Sequence, residues 1–131
     1  MKRLLAALIL ILLTAPVNAQ DFDKVIAEFN KGVAAHNRGD YATALQVFKI
    51  VAEQNHAAAQ YNLGVMYSFG RGVPQDFVQA YMWFNLAAAQ GNEKASQNRN
   101  IVAKLMTCSD ISKAQRMVHE WREAHPPKSA N

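Results

Sequence analysis

The chain has 131 residues, 50% of them hydrophobic, with 14 Lys and Arg against 10 Asp and Glu and a single cysteine. That length bounds it to one ordinary domain. One thiol excludes an internal disulfide framework, so an apolar core must hold the fold.

The first twenty residues are set apart from the rest. Lys2 and Arg3 form a short positive region, residues 4–13 are an unbroken apolar run, and Thr14, Pro16 and Val17-Asn18-Ala19 follow. This order predicts a secretory signal peptide over residues 1–19, cleaved after Ala19. As a membrane span the run is too short, since spanning takes about 20 apolar residues. The leader also has no cysteine for a lipid anchor. Export is therefore expected, to the periplasm or outside the cell for a bacterial source, with no membrane attachment after cleavage. Lys2 and Arg3 account for two of the formal +4 charges, leaving +2 on the mature chain. Its Lys and Arg residues are scattered rather than clustered on one face, which argues against a nucleic-acid partner. Cys108 lies near an expected helix start and reads as a buried or half-buried small residue.

Past the leader, Val25, Ile26, Phe29 and Val33 recur at helical spacing and predict a first helix over residues 21–37. Gly39 can take the left-handed conformation that ends it, and Asp40 can cap the next. A second helix, residues 41–54, carries Ala44, Leu45, Phe48 and Val51 or Ala52 on one face. Asn55 and His56 break the pattern. The third helix, residues 57–69, holds Tyr61, Leu63, Val65 and Tyr67, with Gly64 in its interior. Such a glycine costs about 1 kcal/mol relative to alanine and implies a close neighbouring helix. Gly70-Arg71-Gly72-Val73-Pro74 forms a loop, and Asp76 caps the fourth helix. Phe77, Ala80, Tyr81, Phe84 and Ala87 or Ala88 form that helix's core face, widened by Met82 and Trp83, so it must be sandwiched between neighbours. Gly91-Asn92 ends it. A fifth helix over residues 93–106 is polar at first and then apolar at Ile101, Val102 and Leu105. Thr107 and Asp110 resemble a capping box. The sixth helix, residues 111–124, aligns Ile111, Ala114, Met117, Val118 and Trp121, and Pro126-Pro127 stops it. Residues 126–131 are expected to fray. No stretch shows strand-like alternation, so the fold class is all-α.

Comparison of the chain with itself fixes the architecture. Residues 27–33 match residues 59–65 at an offset of 32. Asp40, Ala44, Phe48 and Ala52 fall on Asp76, Ala80, Phe84 and Ala88 at an offset of 36. Continuing at 36, Ala59 and Asn62 fall on Ala95 and Asn98, while Gly64 becomes Asn100. The third copy is thus more polar, as a terminal cap should be. Leu63-Gly64, Tyr67, Gly70-Arg71-Gly72-Val73, Asp76, Ala80, Trp83, Ala87-Ala88 and Gly91 resemble the Sel-one-like repeat, a relative of the tetratricopeptide repeat. Within residues 20–125, the resemblance and the repetition predict a short right-handed α-solenoid of stacked antiparallel helix pairs, about six helices in all. The first copy departs from the pattern at Lys31 and Ala35, where leucine and tyrosine would be expected.

No constellation of residues reads as a catalytic or metal site. His36, His56, His119 and His125 fit no metal-ligand spacing, and His36 and His56 read as surface residues. Gly70 and Gly72 lack the strand and the lysine that a phosphate loop needs. The serines lack a nucleophile-elbow context. No cofactor is expected. What the resemblance implies is a non-catalytic exported scaffold that binds a protein or peptide, itself a monomer or weakly self-associating. By the register of the related tetratricopeptide fold, its inner face would include Phe29, Val33, His36, Tyr61, Val65, Phe69, Gln97 and Ile101. Several of these apolar residues also suit a core. The competing class is a cell-wall-related enzyme or enzyme inhibitor, which a pocket gathering several titratable residues would favour.

Overall fold

The computed structural model describes residues 19–127. The predicted leader, up to residue 18, and residues 128–131 of the expected tail lie outside the described residues. Among the described residues six helices follow one another: α1 (Ala19–Asn37), α2 (Tyr41–Glu53), α3 (Ala57–Phe69), α4 (Phe77–Ala89), α5 (Glu93–Ala103) and α6 (Cys108–Ala124). Among the described residues there is no strand. The arrangement is an all-α solenoid of helix pairs, with α1 packed on α2, α3 on α4, and α2 and α4 each carrying the next pair.

Each turn is written in capping chemistry, which satisfies amide donors that the first turn of a helix leaves open. The Asp40 carboxylate accepts from the Thr43 amide at 3.3 Å, Asp76 from Gln79 at 3.1 Å and Asn92 from Ala95 at 2.9 Å. Thr107 Oγ1 accepts from the Asp110 amide at 3.1 Å. That last cap shifts a boundary. Because Thr107 caps at its own position, α6 begins at Cys108 rather than Ile111, and α5 stops at Ala103 rather than Met106. Residues 104–106 instead make a tight turn, their amides bonding three residues back to Ile101, Val102 and Ala103. In this position Cys108 is exposed, not buried or half-buried.

The pairs are set by an aromatic ring lying on a glycine. A methyl group placed on Gly32 would stand 2.7 Å from the Phe48 ring, and one on Gly64 would stand 2.5 Å from the Phe84 ring. Both rings are buried. Helix α4 is sandwiched as its composition predicts, touching α3, α5 and α6 and burying Ala80, Tyr81, Met82, Trp83, Phe84, Leu86 and Ala87. Gly70 and Gly72 both have positive φ. A side chain on Gly72 would come within 2.8 Å of the Tyr41 carbonyl oxygen, so this loop is seated on the turn of the preceding pair.

Among the described residues one polar residue, Gln60, is fully buried. Its amide donates to the Ala52 carbonyl at 3.3 Å and to Asn55 Oδ1 at 3.1 Å, and its own oxygen accepts from Gln90 Nε2 at 2.8 Å. A buried amide left unpaired costs about 1–3 kcal/mol, so this network ties the end of α2, the start of α3 and the end of α4 into one arrangement.

The ring-on-glycine contact is directly testable. Overpacking a core costs about 1–3 kcal/mol, against about 1 kcal/mol returned when a helical glycine becomes alanine. Gly64→Ala should therefore lower stability by about 1–2 kcal/mol in urea unfolding with an unchanged slope. Asn100→Ala, at the equivalent place of the third copy, should be neutral or mildly stabilising. Equal stability of Gly64→Ala and the wild type would mean that Phe84 moves aside freely.

Candidate interaction surface

Helices α1, α3 and α5 are the first members of their pairs, and the eight residues expected on an inner face lie on them. They fall into two groups. Phe29, Val33, Tyr61 and Val65 are half-buried and packed on the core. The Phe29 ring lies 5.7 Å from Phe48 and 4.7 Å from His56, and the Tyr61 ring lies 5.8 Å from Phe84. His36 is also half-buried, its ring 5.1 Å from Tyr41. By contrast, Phe69, Gln97 and Ile101 are exposed, with 67% of Phe69 and 59% of Ile101 open to solvent.

Two features link the helices across this face. Asn98 Nδ2 of α5 lies 3.4 Å from the Tyr61 hydroxyl of α3 and donates to it. The Arg71 guanidinium sits 5.0 Å above the Phe69 ring and 5.8 Å from Tyr41, a cation held over two aromatic faces. The other large apolar side chains exposed among the described residues are Phe22 and Ile26 on α1, Ile50 on α2 and Leu105 just past α5. The repeat register could have found Leu105, since it stands 36 residues after Phe69 just as Ile101 stands 36 after Val65.

His56 is not the plain surface residue that the sequence implies. It is half-buried, and its Nδ1 accepts the Ala59 amide proton at 3.2 Å, which makes it the cap of α3. An accepting Nδ1 carries no proton, so this ring is neutral in the fold. Burial pushes its pKa below the ordinary 6.5.

A cavity of about 890 Å³ is lined by Asp21, Lys24, Glu28, Glu53, His56 and His125 among others, and by none of the eight expected residues. It gathers titratable groups, the feature that would favour an enzyme. Of these, Glu53 and His125 are engaged with each other at 2.7 Å and His56 is engaged as a cap. Among the described residues, its lining includes no serine, threonine or cysteine. Among the described residues, no group of three or more His, Cys, Asp or Glu side chains is placed to hold a metal ion. No described helix is long and apolar enough to cross a membrane.

Comparison with known proteins agrees with this repeat geometry. Residues 57–92, which span α3, its loop and α4, match the Sel1 repeat family. The chain resembles the crystal structure of a protective antigen present in uropathogenic Escherichia coli strains that displays an SLR fold. The TM-score is 0.73 at 34% identity, over 79% of this chain and 23% of that one. Over 71 residues it is 32% identical to an ERAD-associated E3 ubiquitin-protein ligase component of Arabidopsis thaliana, covering 53% of this chain. Over 70 residues it is 31% identical to an exopolysaccharide production negative regulator of Rhizobium leguminosarum bv. viciae, again covering 53% of this chain. The matched regions amount to only 10% and 26% of those two relatives. What is shared is therefore the repeat, and these findings support a Sel1-like repeat protein.

The His56 cap gives a pH dependence of definite sign. Folding holds the ring neutral, while the unfolded chain takes up a proton as pH falls below the ordinary 6.5. The cap's contribution is thus complete above that value and is lost as pH falls through the lower folded value. His56→Asn keeps a capping side chain without a titrating ring. Thermal unfolding between pH 7.5 and 5 should show less acid destabilisation in this variant than in the wild type. Identical pH profiles would refute the assignment.

Proposed function

We propose that the chain is an exported helical-repeat scaffold that holds a protein or peptide partner against the faces of α1, α3 and α5, with no catalytic activity of its own. The observation that carries this reading is the exposure of large apolar side chains on or just past the first helices, Phe69, Ile101 and Leu105 above all. Exposed large apolar residues in register along a repeat array suit an extended or helical peptide with apolar anchors. Sel1 repeats generally mediate protein–protein interaction, which supports the same reading. Export rests on the leader pattern of residues 1–19. The mature protein should begin at Gln20 in the periplasmic or secreted fraction of a bacterial source.

Crosslinking of the mature protein in its native compartment, with identification of what it captures, tests the proposal. Because Phe69 and Ile101 are largely exposed, Phe69→Ser and Ile101→Ser should leave the unfolding midpoint nearly unchanged. Each should weaken capture about tenfold, a loss of about 1.4 kcal/mol for an anchoring residue. Tyr61→Ala should weaken it further, at some cost in stability. Full capture by the folded Phe69→Ser and Ile101→Ser variants would defeat the inner-face assignment.

A further inference from the structure

A cation follows the first helix of each copy: Arg38 after α1, Arg71 after α3 and Lys104 after α5. Helices α3 and α5 lie side by side, tied by the Asn98–Tyr61 bond, and as first members of successive pairs they run the same way. Arg71 and Lys104 therefore share one edge of the interaction surface.

The three cations differ in their surroundings. Arg38 lies 3.9 Å from the Asp40 carboxylate. Beside it the place of Phe69 is taken by Asn37, which is polar. Among the described residues, neither Arg71 nor Lys104 takes part in an ion pair. Helix α3 carries no charged side chain, and the Asp76 carboxylate that follows it is engaged as the cap of α4. Both unpaired cations stand beside exposed apolar surface. The Arg71 guanidinium is 5.0 Å from the ring of the exposed Phe69, and Lys104 falls between the exposed Ile101 and Leu105. A guanidinium laid over an aromatic face keeps its N–H edge open to a carboxylate. A helix dipole favours a cation at the end of any helix. It does not account for large apolar side chains exposed beside the two unpaired cations and missing beside the paired one.

We propose that the edge formed by the second and third copies takes an acidic segment of a partner chain, one in which carboxylates and apolar side chains are interspersed. The apolar side chains rest on Phe69, Ile101 and Leu105, and the carboxylates meet Arg71 and Lys104. A basic segment would set like charges against both cations and is disfavoured. This inference rests on the scaffold reading above and adds the chemistry of the partner.

Three labelled peptides of equal length test it by fluorescence anisotropy on the purified chain. All share one pattern of leucines, with glutamate, lysine or serine at every intervening position. The glutamate peptide should bind about tenfold tighter than the lysine peptide at low salt, with the serine peptide between them. Added salt should narrow that gap. Arg71→Gln and Lys104→Gln should each weaken the glutamate peptide about threefold, with little effect on the serine peptide or on the unfolding midpoint. Arg116→Gln, which removes an exposed cation of α6, should leave all three affinities unchanged. Equal affinity for the glutamate and lysine peptides, no binding of any peptide, or an equal loss in Arg116→Gln would each overturn the acidic partner. So would a dimer in light scattering that Phe69→Ser abolishes, which would give the edge to a second copy. The scaffold reading is decided separately, by whether Phe69→Ser and Ile101→Ser weaken crosslinked capture in the native compartment.

Discussion

The structure depends on one contact made twice, a phenylalanine ring laid on a helical glycine. Phe48 covers Gly32 and Phe84 covers Gly64, at distances that leave no room for a methyl group. Each contact brings the two helices of a pair closer than side chains on both would allow. This fixes the angle at which the pair presents its remaining apolar face to the next. The helical glycine disfavours the isolated helix. Packing of the ring against the partner helix offsets that cost, so the two helices of a pair hold each other in place.

From this contact the roles of the other helices follow. With Phe84 turned onto α3, the rest of α4 is free to meet α5 and α6, which is why nearly its whole circumference is apolar. In the third copy the glycine is lost, since Asn100 stands in its place and is exposed. Helix α6 then packs against α4 instead of closing tightly on α5. Repetition therefore ends for a local reason, and the polar outer side of α6 finishes the array.

Much of this was legible in the sequence because the turns are punctuated by residues with a single conformational purpose. Gly39-Asp40, Gly70 with Asp76, and Gly91-Asn92 placed three helix junctions within a residue or two. The α5–α6 junction was misplaced because Cys108 and Ser109 are indifferent helix formers. The Thr107–Asp110 capping pattern marks that start, and the structure places Cys108 and Ser109 inside α6. His56 reads as a surface residue in the sequence because histidine is an unusual helix cap, and its accepting nitrogen is invisible to composition. The His125–Glu53 contact joins residues 72 positions apart, and no local pattern announces such a pair. Burial on the inner face was open for a different reason: residues such as Phe29 and Tyr61 satisfy a core and a surface at once.

That ambiguity does not extend to α5. Its sequence, EKASQNRNIVA, is the most polar of the repeat helices, and it buries only Ala95 and Val102. Core packing therefore accounts for little of its composition. Yet Ile101 within it and Leu105 just beyond it remain large, apolar and exposed, in the register of Val65 and Phe69. A terminal copy that needed only to shield its neighbour would gain solubility from polar residues at both places, as it has at Asn100 and Lys104. Apolar side chains in the copy that has otherwise shed its packing residues need a cause outside the core. Contact with a partner laid along the same row of helices supplies one, and for that reason the functional reading rests on Ile101 and Leu105 more than on the half-buried aromatics.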